Sequence, residues 1–398
     1  MPWMIRTVVY LSPFIFLLHL YVFTGLYLAL VNCTKISQIK IKYFLLGLIL
    51  IVNALPVIYL IYYQTGNYTN LFIYNSRLNL FDYLVLFPYW LGLILAIELF
   101  PYYLLFDITL LIIRKKSIPK LKSGLHIIKI ALFVIFLLYI GFETYTDTYH
   151  IQNATYHIKF KNLPEELADL TIILLGDVQV DRYTRETKTD RMKRKIEALN
   201  ADLILFSGDL VTRGEYFIDE GLRLLSSLSP SSTRIACIGD HDYWADATRI
   251  TNGLKKGGWF FLENSHQLVE HNNKRILITG ITNIYSRKIS SAELKQIFAN
   301  APAADLRILL SHQPSPNLVE IAANSGYDLF LSGHTHGGQV RFRPFGFTIT
   351  PSMFETPYYS GRYQVNNMTL IVTNGIGLTL APLRYQAPAE IAVIELEN

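Results

Sequence analysis

Cysteine is nearly absent: the 398 residues hold only Cys33 and Cys237, far apart and in segments of different character. Two such thiols supply neither a zinc-site spacing nor a disulfide framework, and they read as isolated core or membrane thiols. Charge is scarce as well, at 17% of residues against 51% hydrophobic. The surplus of +5 is also uneven: residues 1–150 carry 11 Lys/Arg against 5 Asp/Glu, while residues 151–398 carry 25 against 26. The positive charge therefore gives no support for a nucleic-acid surface on the second part, and no nucleic-acid partner is expected. No small-residue cleavage site closes the first apolar run and further apolar runs follow, so a cleavable signal peptide is not expected. No charged series in those runs suggests a transporter or a proton relay.

What the chain has in abundance at its start is apolar sequence. Runs at about Val8–Val31, Tyr43–Tyr63, Tyr83–Ile113 and Ile127–Phe142 predict a helical membrane domain of about four spans over residues 1–150. The third run contains Pro88 and Pro101, which predicts a kinked span followed by an interfacial turn. Lys35, Lys40 and Lys42 lie between the first two runs, and Arg114, Lys115, Lys116, Lys120 and Lys122 between the last two. The intervening loop, Thr65 to Asp82, holds Arg77 alone. The bias makes the two basic loops cytoplasmic and puts both termini, with everything after residue 150, outside. The expected location is a multi-pass protein of the cell membrane, with the bilayer as one partner. Glu98 and Asp107 fall in or near the third span; the expectation is that Asp107 sits at the interface and Glu98 pairs within the bundle.

Residues 151–398 change character to short apolar strands alternating with amphipathic stretches. Expected strands are His157–Phe160, Leu170–Leu175, Leu203–Phe206, Arg234–Ile238, Ile276–Thr279, Leu306–Leu310, Asp328–Leu331, Thr369–Thr373 and Ile391–Leu396, with a helix over Arg185–Asn200. One event recurs: an apolar strand ends in a small residue, and Asp or His follows. It delivers Asp177 and Gln179, then Asp209, then Asp240, His241 and Asp242, then His312, and last His334 and His336 in the stretch Leu331–Gln339. In layered α/β folds, sites assemble at the carboxyl edge of the strands. A mixed Asp/His set with an amide suits one or two divalent cations such as Mn²⁺, Fe or Zn²⁺.

The order G-D-x-Q, S-G-D, G-D-H-D, S-H-Q-P, G-H-T-H resembles the calcineurin-like metallophosphoesterase superfamily. The fuller Gly-His-Thr-His-Gly-Gly-Gln, the run Asp242-Tyr243-Trp244 and the tail Gly375-x-Gly377 … Pro382-Leu383-Arg384 resemble its membrane-linked, YkuE/YaeI-like branch. The resemblance implies an α/β metallophosphoesterase domain, a two-sheet αββα sandwich, over about residues 155–398. It further implies two metal ions, with Asp177 and His336 on the first, Asp209 bridging, and His312 and His334 on the second. His241 would contact the phosphate and assist the leaving group, and Asp242 would orient it.

Two positions depart from the family pattern: Gln179 stands where His is usual, and Asp240 where Asn is usual. The amide oxygen of Gln179 leans the first site toward Mn²⁺ or Mg²⁺, with Fe or Zn²⁺ as alternatives, and the Asp240 carboxylate would hold metal more firmly while repelling an anionic substrate. The implied activity is hydrolysis of a phosphodiester or pyrophosphate in a phosphorylated small molecule or a lipid-linked, cell-envelope substrate. The alternatives are a degenerate domain that binds without turnover, and a transport or sensor protein led by its membrane part. The basic stretch Arg182–Lys195 reads either as an attractor for phosphate-rich groups or as a solvated helix face balanced by Glu186, Asp190 and Glu197. Trp244, Trp259, Phe260 and Phe261 read as a substrate wall, a membrane-dipping element or core, with core packing the simplest.

Overall fold

Five of the parallel strands in the C-terminal part end at a small residue or one residue before it, and these strand ends carry the candidate ligands. The computed structural model describes residues 1–67, 77–160, 163–229 and 231–397. Residues 68–76 of the loop expected between Thr65 and Asp82 lie outside these. The chain divides into two compact units, one of Met1–Tyr145 with Phe342–Thr348 and Leu380–Leu383, the other of Thr146–Arg341, Ile349–Thr379 and Arg384–Asn398.

The first unit is helical. It contains α1 (Trp3–Cys33), α2 (Gln38–Val52), α3 (Ala54–Gln64), α4 (Phe87–Ile112) and most of α5 (Pro119–Tyr149). By length and composition three helices can cross a membrane, or four if α2 and α3, bent by 46° at Asn53, form one span. The third apolar run does not break into an interfacial turn. A single π-turn at Asp82–Leu86 leads into α4, which runs on through Pro101 to Ile112. Pro88 lies just after the π-turn, inside a continuous helical segment in which Leu86 and Phe87 already have helical dihedrals.

Asp107 has partners on two other helices. It pairs with the buried Lys129 of α5 at 2.5 Å and accepts the Tyr21 hydroxyl at 2.8 Å. Lys129 lies inside the fourth apolar run, and its ammonium is compatible with that setting because a carboxylate from α4 meets it.

The second unit is a four-layered sandwich. One sheet has the order β1 (Gln152–Lys159), β12 (Glu390–Glu397), β2 (Thr171–Leu175), β3 (Leu203–Phe206), β4 (Thr233–Ala236) and β5 (Phe260–Phe261). The other has the order β10 (Gly361–Val365), β11 (Met368–Val372), β9 (Leu329–Ser332), β8 (Leu306–Ser311), β7 (Lys274–Ile281) and β6 (Ser265–His271). Strands β2 to β5 run parallel, as do β7, β8, β9 and β11. The two sheets share an apolar interior in which Ile172, Leu205, Ile235 and Cys237 pack with Ile278, Ile308, Leu310 and Leu331. Residues one step along each strand point the other way, as strand geometry requires. Ile173, Ile204 and Phe206 thus meet α6 (Thr187–Ala198), α7 (Ile218–Ser226) and α8 (Asp240–Lys256) through Met192, Ile196, Leu225 and Ile250. Leu309, Phe330 and Leu370 meet α9 (Ser291–Ala299) and α10 (Pro316–Asn324) through Leu294, Phe298, Leu318 and Val319.

The sequence reading leaves out β5, β6 and β10. Their burial is partial and their sequences mixed, as edge strands allow. The helix expected from Arg185 begins only at Thr187, because Glu186 takes φ 41°. Cys33 and Cys237 are both free, as isolated thiols.

Candidate metal centre and phosphoester site

Each expected ligand lies just past the carboxyl end of a parallel strand. Asp177 and Gln179 follow β2, Asp209 follows β3, Asp240 follows β4, His312 follows β8, and His334 and His336 follow β9. The backbone turns sharply at these points. Asp177, Gln179, Asp209, His334 and His336 all take positive φ, between 43° and 74°. That region costs a non-glycine residue of order 1–3 kcal/mol, and the sandwich has to hold it in place. Two glycines are required by close approach rather than by their own dihedrals. A Cβ at Gly239 would lie 2.1 Å from Asp209 Oδ1, and one at Gly333 would lie 2.5 Å from Asp177 Oδ2.

Two groups of ligand atoms result. One is Asp177, Asp209 and His312; the other is Asp240, His312 and His334. His312 Nε2 stands between them, 3.3 Å from Asp209 Oδ2, 3.6 Å from Asp240 Oδ2 and 3.3 Å from His334 Nδ1. His336 Nε2 lies 3.5 Å from Asp177 Oδ1. Gln179 Nε2 donates to Asp209 Oδ2 at 3.2 Å, which ties the amide to the first group. The donor set passes a direct test of fit for metal. Asp177 Oδ1 and Gln179 Oε1 are fully buried yet have no hydrogen-bond partner. Orphaned buried oxygens are costly unless a cation or water meets them.

The protonation pattern follows from this crowding. Burial pushes the Asp177 carboxyl up to about 6. Burial would also raise Asp209, but the imidazoles of His312 and His241 override it and hold that carboxyl well below its usual range. Burial opposes charge on His312 and His334 too; Asp209 nevertheless lifts His312 to about 9, and hydrogen bonds to Asp240 and Glu355 lift His334 to about 10. His336 goes the other way: burial, then the Arg384 guanidinium, hold it well below its ordinary value and so neutral. A neutral imidazole is the form that ligates.

Around the candidate ligands are residues to which the sequence assigned no role. Glu355 Oε1 accepts from His334 Nε2 at 2.8 Å and from the Tyr285 hydroxyl at 2.5 Å. Gln313 Nε2 donates to Asp240 Oδ2 at 2.7 Å, and Tyr285 N donates to Asp240 Oδ1 at 2.7 Å. The buried Arg384 donates to the carbonyls of His336, Gly377, Ala387 and Asn374, and its Nη2 lies 3.5 Å from His336 Nδ1. Arg384 was visible only as part of a tail motif, and Gln313 only as a letter in S-H-Q-P.

The orienting role expected of Asp242 is not what the geometry shows. Its carboxylate accepts the backbone N–H groups of Asp209, Leu210 and Gly239, so it fixes the β3 and β4 turns. The ring of His241 is held instead by the Thr212 carbonyl at Nδ1, and its backbone N–H donates to Asp209 Oδ1 at 2.9 Å.

Residues 170–338 match the calcineurin-like phosphoesterase family. The chain carries a calcineurin-like phosphoesterase domain. An uncharacterised metallophosphoesterase of Aquifex aeolicus (strain VF5) is 27% identical over 268 residues, 65% of this chain and 97% of its own length. The uncharacterised metallophosphoesterase YkuE of Bacillus subtilis (strain 168) is 25% identical over 262 residues, 65% of this chain and 90% of its own. A Danio rerio transmembrane protein with metallophosphoesterase domain is 28% identical over 250 residues, 61% of this chain and 56% of its own.

Aromatic side chains stand beside the candidate site. Trp244 is exposed, lies 5.1 Å from the His241 ring and stacks parallel to Tyr285 at 6.5 Å. Trp259, by contrast, is core beside Phe206. The basic stretch after the first ligand motif is largely engaged: Lys188 is buried on the Ile376 carbonyl at 2.6 Å, Arg185 pairs with Glu220 at 3.0 Å, and Lys193 pairs with Glu197.

Proposed function

We propose that this chain is a membrane-anchored, dinuclear metal-dependent phosphohydrolase that cleaves a phosphodiester or pyrophosphate bond, with its catalytic domain on the extracytoplasmic side. The observation that carries the reading is the pair of donor groups sharing His312, with unsatisfied oxygens of Asp177 and Gln179 beside them. In it Asp177, Gln179, Asp209 and His336 would hold one ion, and Asp240, His312 and His334 the other. Divalent ions held there would activate water at neutral pH and offset the charge of the phosphoryl oxygens.

The residues do the remainder. Asp242 and the small residues around it hold the β3 and β4 turns so that Asp209 faces the cluster. The Thr212 carbonyl occupies Nδ1 of His241, so proton delivery to the leaving oxygen falls to Nε2. Trp244 and Tyr285 offer an apolar wall for the leaving group. The oxygen donors Gln179 and Asp240 favour Mn²⁺ over softer metals. The excess of Lys/Arg in the loops at 35–42 and 114–122 supports the outside location.

The test uses the full-length protein in detergent, stripped with chelator and assayed on bis-p-nitrophenyl phosphate with Mn²⁺, Fe²⁺, Zn²⁺ and Mg²⁺. Hydrolysis restored best by Mn²⁺ is expected. No hydrolysis with any of the four, and no bound metal by elemental analysis, would leave a binding domain without turnover. A reporter at the C-terminus that reads cytoplasmic would overturn the location.

A further inference from the structure

The two most exposed large apolar side chains among the described residues are not on the long helices. They are Phe354, 87% exposed, and Phe347, 74% exposed, and Ile349 and Met353 between them are 46% and 43% exposed. This loop inverts the usual arrangement, because its polar side chains point inward. Thr350 donates to the Gly338 carbonyl at 3.0 Å, Ser352 to the Thr335 carbonyl at 3.1 Å, and Thr356 to the Pro314 carbonyl at 2.9 Å. The loop is thus pinned to the ligand-bearing turn after β9 by hydroxyls, while its apolar side chains stand clear. Pro344 and Pro351 each open a short 3-10 turn and stiffen it. A monomeric domain surrounded by water rarely keeps such a patch uncovered.

We propose that the 347–354 loop docks on a lipid surface and that the substrate is an amphiphile of that surface, with the scissile phosphoester in its headgroup. Two observations select lipid over other occupants. The chain carries helices long and apolar enough to cross a membrane. Arg343, exposed at the start of the loop, suits an anionic headgroup region. The link to the site is short: Glu355, next to Phe354, hydrogen-bonds His334 and Tyr285. A headgroup at the loop is therefore one residue from a proposed metal ligand. The substrate class rests on the proposed phosphohydrolase activity; the docking surface does not.

The experiment uses the full chain in anionic nanodiscs. Phe354→Cys in a Cys33→Ser background is labelled with an environment-sensitive dye, and lipids carrying a nitroxide near the headgroup are added. Leu268→Cys on β6 serves as the comparison. Strong quenching at 354 and little at 268 is expected; no quenching at 354 overturns the proposal, and concentration-dependent dye burial without lipid assigns the loop to a second copy. In parallel, Phe347→Ser/Phe354→Ser is assayed on bis-p-nitrophenyl phosphate and on phosphatidylglycerol and CDP-diacylglycerol in the nanodisc. Loss of about tenfold or more on lipid alone is expected, since two aromatic anchors are removed from the interface. Equal losses on soluble and lipid substrates overturn the proposal, as does wild-type protein that cleaves the aryl diester but neither lipid. Quenching without any hydrolysis by wild-type protein overturns the phosphohydrolase reading and leaves the docking surface standing.

Discussion

Replacing Glu355 offers the sharpest test of how the second donor group is held. His334 uses its two nitrogens differently: Nε2 meets Glu355 at 2.8 Å, while Nδ1 lies 3.3 Å from both Asp240 Oδ2 and His312 Nε2. A carboxylate on Nε2–H fixes the tautomer that leaves the Nδ1 lone pair for metal. Removing such a partner typically costs about 10–100-fold in metal affinity. Glu355 is 40% exposed, so solvent screening puts this case at the lower end, near tenfold for Glu355→Ala. Glu355→Gln keeps an acceptor oxygen without the charge and is expected to lose about threefold. Tyr285→Phe removes only a donor to Glu355 and is expected to change affinity less than either.

The assay is Mn²⁺ titration of chelator-stripped, full-length protein by competition with a fluorescent indicator, at fixed pH and at two salt concentrations. Thermal melting without metal serves as the control. A purely structural contact would lower the metal-free melting temperature in both Glu355 variants and leave Mn²⁺ affinity unchanged. That result would refute the positioning role. A loss that vanishes at high salt in Glu355→Gln would reduce Glu355 to a long-range attractor.

Two further predictions follow from burial and charge. The folded-state values of His312 and His334, about 9 and about 10, lie above the ordinary 6.5, so their ion pairs stabilise metal-free protein fully below pH 6.5 and less as pH rises through those values. Metal-free protein should therefore melt progressively lower from about pH 7 to pH 10, and a flat or rising melting temperature would contradict the pairing. Arg384→Met should destabilise the protein by about 3 kcal/mol or more, since it strands several buried carbonyls and the nearby Glu390. Chemical denaturation without metal reads this, and a loss under 1 kcal/mol would mean water replaces the guanidinium.

The parts of the architecture open to sequence reasoning were those with strong periodicity. Leu203–Phe206 and Leu329–Ser332 are buried on both faces, so their continuous apolar runs announce themselves. Ser265–His271 and Gly361–Val365 are edge strands with one wet side, and their polar residues hide them. The candidate ligands were legible because each lies within a few residues of such a strand end. Glu355, Tyr285 and Thr212 were not, because each reaches the site from a loop whose path is set by tertiary packing. Asp242 shows the converse limit: its spacing placed it beside the candidate ligands, but one residue's turn decided that it caps backbone N–H groups rather than an imidazole.

The positive dihedrals connect these observations. Glycine would be the cheap residue at φ between 43° and 74°, yet Asp177, Gln179, Asp209, His334 and His336 occupy those places. The strain at each is offset locally. Asp177 Oδ2 accepts His334 N at 2.8 Å, Asp209 Oδ1 accepts His241 N, and Asp242 clamps the Asp209 turn. The carboxylates of the proposed centre are thus also the acceptors that stabilise the turns carrying their neighbours. One oxygen of Asp177 is committed to a backbone N–H, and the other, Oδ1, is left without a hydrogen-bond partner. Such a division suits a ligand whose position is fixed before the cation arrives. It also explains why Gln179, an amide at a strained position, can serve there: its Nε2 is anchored on Asp209, which leaves Oε1 as the buried oxygen still in need of a partner.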